Sequence, residues 1–260
     1  MDPELEHFNL LHPSTSTTIT TTTIPEPPSP SGRRKICSDC SRPNPVCLCH
    51  ALPVNPIETT THLVILQHPH EAQHKLSTTP ILTKCLLNAT TLIGRRLRPG
   101  LSTLLDQSPS AIYLFPPTHS SPAVNISHLK PSDLVHSKEK NLVLIAFDGT
   151  WKHATEMVKA SEVFLSRFAK RVCLDFDEKV SGGSIYDSEL ILRKEPILGF
   201  VSTMEAVARA LRVLEPNGFE IESKLIGILM ETVRLQASYL KPMKPRPKLL
   251  KKKVKEKEKD

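Results

Sequence analysis

The chain has 260 residues, 39% of them apolar and 23% charged, with six cysteines and a net charge of +7. That length lies near the upper limit for a single hydrophobic core, and the composition is globular rather than fibrous or wholly disordered. No apolar run approaches the roughly 18 residues that a membrane span requires, so a helical membrane protein is excluded and a soluble one is expected.

Residues 1–34 are rich in Thr, Ser and Pro and hold too little apolar surface to offset the entropy of ordering, which predicts a disordered extension. Asp2, Glu4, Glu6 and Glu26 are acidic and no arginine precedes Arg33, which argues against an organelle-import peptide. No secretory signal is visible, so a cytoplasmic or nuclear location, or both, is expected. At the other end, residues 241–260 hold 10 of the 34 Lys and Arg and 3 of the 27 Asp and Glu, leaving 24 of each sign in the rest of the chain. The whole net charge therefore lives in this tail. It reads as a solvated disordered end, as a nuclear-import signal or as an electrostatic contact with nucleic acid.

Four cysteines fall within "CSDCSRPNPVCLCH": Cys37, Cys40, Cys47 and Cys49. Two short thiol pairs joined by an Arg-Pro-Asn-Pro turn can fold back so that four sulfurs converge tetrahedrally, the arrangement Zn²⁺ selects. His50 follows directly and is an alternative to one of the four. A site closed by four protein ligands leaves no open position for a substrate, so this knuckle, residues 37–50, is expected to be structural. Cys85 and Cys173 stand in apolar surroundings and read as buried small hydrophobes.

"HLVILQ" (62–67) predicts a first buried strand, followed by a polar loop, "HPHEAQHKLST". Ile81, Leu82, Cys85, Leu86 and Ala89 have helical spacing behind Pro80, which suits a first helical turn. Further strands are expected at 111–116, 141–147 and 171–176. Ser202 and Glu205 form a capping-box pattern in front of the stripe Met204, Val207, Ala208, Leu211 and Leu214, and residues 219–240 predict a second amphipathic helix. Wholly apolar strands alternating with helices indicate an α/β fold, a mainly parallel sheet with helices on both faces. No repeat of 20 to 50 residues points to a solenoid.

In such sheets, ligands sit beyond the carboxyl ends of the strands. The stretch "FDGTW" is placed there: Asp148 ends its strand, Gly149 permits a sharp turn, and Thr150 is positioned to cap the helix that begins near Trp151. A strand-turn-helix junction with a packed tryptophan is the plain structural reading. No phosphate-binding loop, dinucleotide fingerprint or Gly-x-Ser-x-Gly nucleophile pattern occurs. His68, His70 and His74 resemble a metal cluster, but without an H-E-x-x-H they read as polar loop residues.

"CSDCSRPNPVCLC", "LQHPHEAQHKLSTTPIL", "IYLFPP", "AFDGTWKHATEM" and "VSTMEAVARALRVLE", in that order, resemble the DTW-domain family. The chain is similar in particular to its eukaryotic branch, the tRNA-uridine aminocarboxypropyltransferases, from about residue 36 to residue 236. The resemblance implies a DTW domain over 35–240 that moves the 3-amino-3-carboxypropyl group of S-adenosylmethionine onto N3 of a uridine in tRNA, and a SPOUT-like fold with a possible trefoil knot. It assigns chemistry at Asp148, as general base, with Thr150 and Trp151. The donor would lie against Ser202, Thr203, Glu205, Phe115, Pro116 and Arg193. His68 and Glu71 would face the substrate, and Arg95 and Arg96, in "IGRRLRPG", its phosphates. The partner implied is tRNA, with no DNA and no membrane; the oligomeric state is open. Two departures stand out: many bacterial members have Asn-Thr-Gly where this chain has Ser77-Thr78-Thr79, and the family's frequent Gln after the tryptophan is His153 here. The rival expectations are an S-adenosylmethionine-dependent RNA methyltransferase and a catalytically silent, zinc-containing RNA-binding protein.

Overall fold

A computed structural model of the chain describes residues 35–74, 77–118, 121–130, 142–174 and 202–239. The two expected terminal extensions, Arg193 and the turn before Ser202 lie outside the described residues. Among the described residues, six strands form one sheet: β1 (His62–Gln67), β2 (Ala89–Ile93), β3 (Ala111–Leu114), β4 (Val124–Asn125), β5 (Val143–Asp148) and β6 (Ala169–Cys173). Their order is β2-β1-β5-β3-β6-β4, and every pairing is parallel. Between them run α1 (Pro69–Ala72), α2 (Thr79–Cys85), α3 (Thr103–Asp106) and α4 (Trp151–Leu165), followed by α5 (Thr203–Leu214) and α6 (Gly218–Ala237). No helix among the described residues is long and apolar enough to cross a membrane.

The period-2 alternation of the strands sorts their side chains into two cores. Leu63 and Ile65 of β1 and Leu144 and Ala146 of β5 point to one face, where they meet α2, α5 and α6 through Leu82, Met204, Val207, Leu211, Leu225 and Leu229. Val64 and Leu66, with Val143, Ile145 and Phe147, point to the other face and meet Met157, Val158 and Leu165 of α4. A parallel sheet covered on both faces explains why β1 and β5 are apolar throughout rather than alternating. At the junction of α5 and α6, a Cβ on Gly218 would lie 2.2 Å from the Arg212 carbonyl oxygen, so only glycine allows this tight reversal.

Two elements differ from the sequence-based expectation. The helix expected to continue to Ala89 stops at Cys85, where Leu86 turns extended (φ −116°, ψ 128°), and Ala89 opens the strand β2. The local 3.6-residue spacing fitted a helix, but "ATTLI" is β-branched and pairs with β1, a non-local gain that overrides the spacing. The short edge strand β4 is a second addition, two residues paired with β6. Cys173 is only half-buried, whereas Cys85 is fully buried as expected.

Candidate active site

β1 and β5 each end their apolar run on one polar residue, and the parallel register sets those two residues, Gln67 and Asp148, directly opposite each other. Strand parity turns both toward α2 and α5. Asp148 is 6% exposed and its carboxylate is held by three side chains: Gln67 Nε2 (3.0 Å) and Thr79 Oγ1 (2.7 Å) donate to Oδ2, and Thr203 Oγ1 (2.8 Å) donates to Oδ1. A carboxylate offers about four acceptor positions, and the described residues fill three, leaving one on Oδ1 among them. Asp148 thus joins β1, α2, β5 and α5 at one point. Thr203, expected beside the donor, gives its hydroxyl to this carboxylate.

Gly149 sits in a tight place between two histidines. Its φ is not positive; a Cβ there would stand 3.2 Å from the His153 Cβ and 3.3 Å from the His68 Cβ. Thr150 is the N-cap of α4, its Oγ1 accepting from the His153 N–H at 3.3 Å. The half-buried Trp151 ring packs against Phe115, with centroids 6.1 Å apart and tilted 53°. Arg171 of β6, itself buried, places its guanidinium 5.1 Å from the Phe115 ring centroid and donates to the carbonyls of Phe115 and Pro116. The Phe115-Pro116 loop is thereby pinned beside the tryptophan.

His68 caps α1 and donates its backbone N–H to the Asp148 carbonyl (2.8 Å). Its ring stacks on His153 at 3.8 Å and 12°, with His70 edge-on at 4.9 Å; His74 is not part of this group. The His70 N–H donates to His68 Nδ1, which leaves the proton of the neutral ring on Nε2. The ligand nitrogens of the three lie within 4.8 Å of one another, but the near-parallel stack aims two in-plane lone pairs side by side rather than at a common point. Burial depresses the His68 pKa, reinforced by His153, His70 and Arg95 and opposed by Glu156. A folded-state pKa below the unfolded value near 6.5 means that the unfolded chain takes up this proton first as pH falls. The stability contributed by neutral His68 is therefore present above about pH 6.5 and lost below it. Urea unfolding between pH 8 and pH 5 should show this loss, and His68→Asn, which can still cap α1, should flatten the slope; an unchanged slope would refute the assignment.

Glu71 lies on α1, half-buried, next to His68. The loop after β2 is fixed at both ends: Gly94 N–H donates to the Gln67 carbonyl (3.0 Å), and the buried Leu97 donates its N–H to Ser161 Oγ (2.9 Å). Arg95, Arg96 and Arg98 are exposed on either side of that anchor, close to the ends of β1 and β5. Ser202 is the N-cap of α5, its Oγ accepting from the Glu205 N–H at 3.2 Å. Glu205 is completely buried, with its carboxylate 2.6 Å from Arg209 one turn on.

In the cysteine knuckle, Sγ atoms approach in two pairs, Cys37 with Cys49 at 3.5 Å and Cys40 with Cys47 at 3.6 Å, and all four lie within 4.8 Å. Zn–S bonds of about 2.3 Å give a tetrahedral edge near 3.8 Å, so the sulfurs fit a divalent ion. The backbone N–H groups of Cys40 and then Asp39 lower the Cys37 thiol to about 6, and that thiolate helps push Cys49 up to about 12. A divalent ion would allow all four sulfurs to ionise. His50 stands outside the set: its Nε2 is 2.9 Å from Glu231 Oε1 on α6.

A sequence profile of the DTW domain matches residues 34–237, which include every described element of the sheet and of its helices. The chain belongs to the DTW-domain family. This DTW protein is 59% identical over 231 residues to tRNA-uridine aminocarboxypropyltransferase A of Arabidopsis thaliana, covering 85% of this chain and 88% of that protein. It is 36% identical over 205 residues to tRNA-uridine aminocarboxypropyltransferase 2 of Macaca fascicularis, covering 76% of this chain and 63% of that one. With the enzyme of the same name from Drosophila melanogaster it shares 33% over 193 residues, 72% and 69% of the two chains. No solved structure matches.

Within the DTW domain the structure brings Asp148, Thr150, Trp151, Phe115, Pro116, His68, Ser202, Thr203 and Glu205 to the same end of the sheet, with Arg95 among the charges that act on His68. Gln67 and Arg171 were not singled out by the sequence, and Thr79 only as part of a departure from the family's pattern. A signal for Gln67 exists: it ends one apolar run as Asp148 ends another. Thr79 ends the Ser77-Thr78-Thr79 stretch, and its hydroxyl supplies the shortest of the three bonds to Asp148.

Proposed function

We propose that this DTW protein transfers the 3-amino-3-carboxypropyl group of S-adenosylmethionine to N3 of a uridine in tRNA. The observation that carries the reading is the 59% identity to a tRNA-uridine aminocarboxypropyltransferase over 88% of that enzyme; the hydrogen-bonded Asp148 beside Trp151 is consistent with it. Uridine N3 bears a proton and becomes a nucleophile when that proton leaves. Asp148 takes it at the open acceptor position of Oδ1, while Gln67, Thr79 and Thr203 fix the carboxylate. The N3–C bond forms as the C–S bond breaks, and the sulfur keeps the electron pair, leaving as neutral methylthioadenosine. Because the donor has three carbons on its sulfonium, choosing this one is a matter of alignment with N3.

Ser202 and the first-turn N–H groups of α5 receive the donor's carboxylate, with Glu205 acting from beneath through Arg209. Phe115, Pro116 and Trp151 supply apolar surface for adenine or for the target base, and Arg193 is the further donor contact expected from the family. His68 and Glu71 line the uridine side. The four cysteines hold a structural Zn²⁺, and a SPOUT-like, knotted arrangement is the finer form of the parallel α/β fold. Folded residues 35–240, the extensions 1–34 and 241–260, and a cytoplasmic or nuclear location complete the proposal.

The deciding experiment incubates the protein with S-adenosylmethionine and unmodified tRNA and weighs the digested nucleosides. An aminocarboxypropyl-uridine establishes the reaction; a methylated nucleoside replaces it with methyl transfer, and no product across a full tRNA pool favours the silent RNA-binding reading. Arg95 and Arg96 carry the phosphate contacts. The double substitution Arg95→Ala/Arg96→Ala should weaken tRNA binding and reduce the slope of log K against log salt by about 1.5 to 2, and an unaltered slope would remove them from the interface.

A further inference from the structure

Arg42 lies between the second and third cysteines of the knuckle and is only 3% exposed, an unusual place for a guanidinium. Its backbone is held by the knuckle itself. Ser41 before it adopts a left-handed φ of 56°, Ser41 N–H donates to the Cys37 carbonyl (3.0 Å), and Cys37 N–H donates back to the Arg42 carbonyl (2.8 Å). Ile36 and Pro43 form an antiparallel bridge on either side of this turn. From there Nη2 points at the Ser77 carbonyl oxygen, 3.5 Å away, 35 residues on in the chain. That separation is at the long end for a hydrogen bond, so the contact is chiefly a buried charge against a carbonyl dipole.

Ser77 is itself buried and stands at the centre of the network on Asp148. Its Oγ accepts from Gln67 Nε2 (2.9 Å) and from the Thr79 N–H (3.4 Å). Those same two residues are the donors to Asp148 Oδ2. A continuous run of named contacts therefore leads from the turn between the cysteines, through Arg42 and Ser77, to both groups that fix one oxygen of the carboxylate.

We propose that Arg42 is a positioning residue for the transfer reaction, through which the cysteine knuckle sets the orientation of Asp148. The proposal rests on the reading of Asp148 as the reacting carboxylate. If Ser77 moves when the guanidinium is removed, Gln67 and Thr79 move with it, and a displacement near 1 Å at a reacting group costs on the order of 100-fold in rate. Binding of tRNA, carried by phosphate contacts elsewhere, should not change.

The test compares Arg42→Gln, Arg42→Lys and Ser77→Ala in the full chain by single-turnover kinetics, with metal content, melting temperature and tRNA affinity measured on the same samples. Arg42→Gln is expected to lose about 100-fold in kcat, with bound metal and the KM for tRNA retained. Arg42→Lys should recover only part of the loss, because an ammonium lacks the planar fork. Since both substitutions act through one path, Arg42→Gln/Ser77→Ala should lose less than the product of the single losses. Wild-type turnover in Arg42→Gln, or losses that multiply in the double variant, would overturn the proposal. If Arg42→Gln does not fold, Arg42→Lys and the cycle of Arg42→Lys with Ser77→Ala decide it by the same criterion. Asp148→Asn is run in parallel: full activity there would remove Asp148 from the chemistry, whereas loss there with wild-type turnover in Arg42→Gln would sink the coupling alone.

Discussion

Replacing Asp148 by asparagine is expected to lower kcat at least about 100-fold while leaving tRNA affinity unchanged, because an amide of the same shape cannot take the N3 proton. The structure shows why this variant should still fold. Oδ2 faces two donors and Oδ1 faces one. The amide can therefore keep its oxygen toward Gln67 and Thr79 and turn its NH₂ to Thr203, whose hydroxyl can accept as well as donate. The loss of charge-assisted hydrogen bonds should cost about 1–3 kcal/mol of stability. Single-turnover assays with nucleoside mass spectrometry, beside filter binding of tRNA, check both halves. Turnover within a few fold of wild type would show that Asp148 organises the site without acting on the proton. A parallel loss of kcat and tRNA affinity would show that its main task is to hold the fold together.

The second large effect concerns the knuckle. One Zn²⁺ per chain is expected by elemental analysis, and Cys40→Ser should abolish it. Leu48 is completely buried, Val46 and Cys40 nearly so, and Leu48 belongs to the core shared with α5 and α6. Loss of a metal bound there would therefore loosen apolar packing as well as break four sulfur bonds. A cost of roughly 3 kcal/mol, modest for the loss of a metal, corresponds for a domain of this size to a fall in melting temperature of about 6–12 °C. The His50–Glu231 contact holds the same knuckle to α6 from outside; Arg234 first and then His50 draw Glu231 down to about 2. That pair is exposed, so His50→Ala should leave the metal in place and change stability little. A protein purified without chelators that contains no zinc, or a Cys40→Ser variant that melts like wild type, would refute the structural-metal reading.

Much of this protein is legible residue by residue because the signals are local. A buried parallel strand must be apolar throughout, and "HLVILQ" therefore marks β1 to the residue, with Asp148 closing β5 as expected. Ser202 and Thr150 cap their helices because each side-chain oxygen needs only the N–H three residues ahead. The cysteine spacing brings four sulfurs together within 14 residues of chain. The order of the five DTW motifs identifies the family without any knowledge of their contacts.

What the sequence could not determine depends on strand order and register. Ala89 fits a helical stripe as well as a strand until β1 is available to pair with it. Gln67 becomes a partner of Asp148 only because β5 lies beside β1 in register, and Thr79 and Thr203 reach the same carboxylate from helices on one face of that sheet. Arg42 could be read as part of a turn between cysteines, and nothing nearby in sequence announces that its guanidinium is buried against Ser77. The sequence by itself determined which residues are chemically capable and where the elements begin; the tertiary structure alone decided which of them share one carboxylate, because hydrogen bonds between residues 55 to 81 positions apart are set by packing and not by pattern.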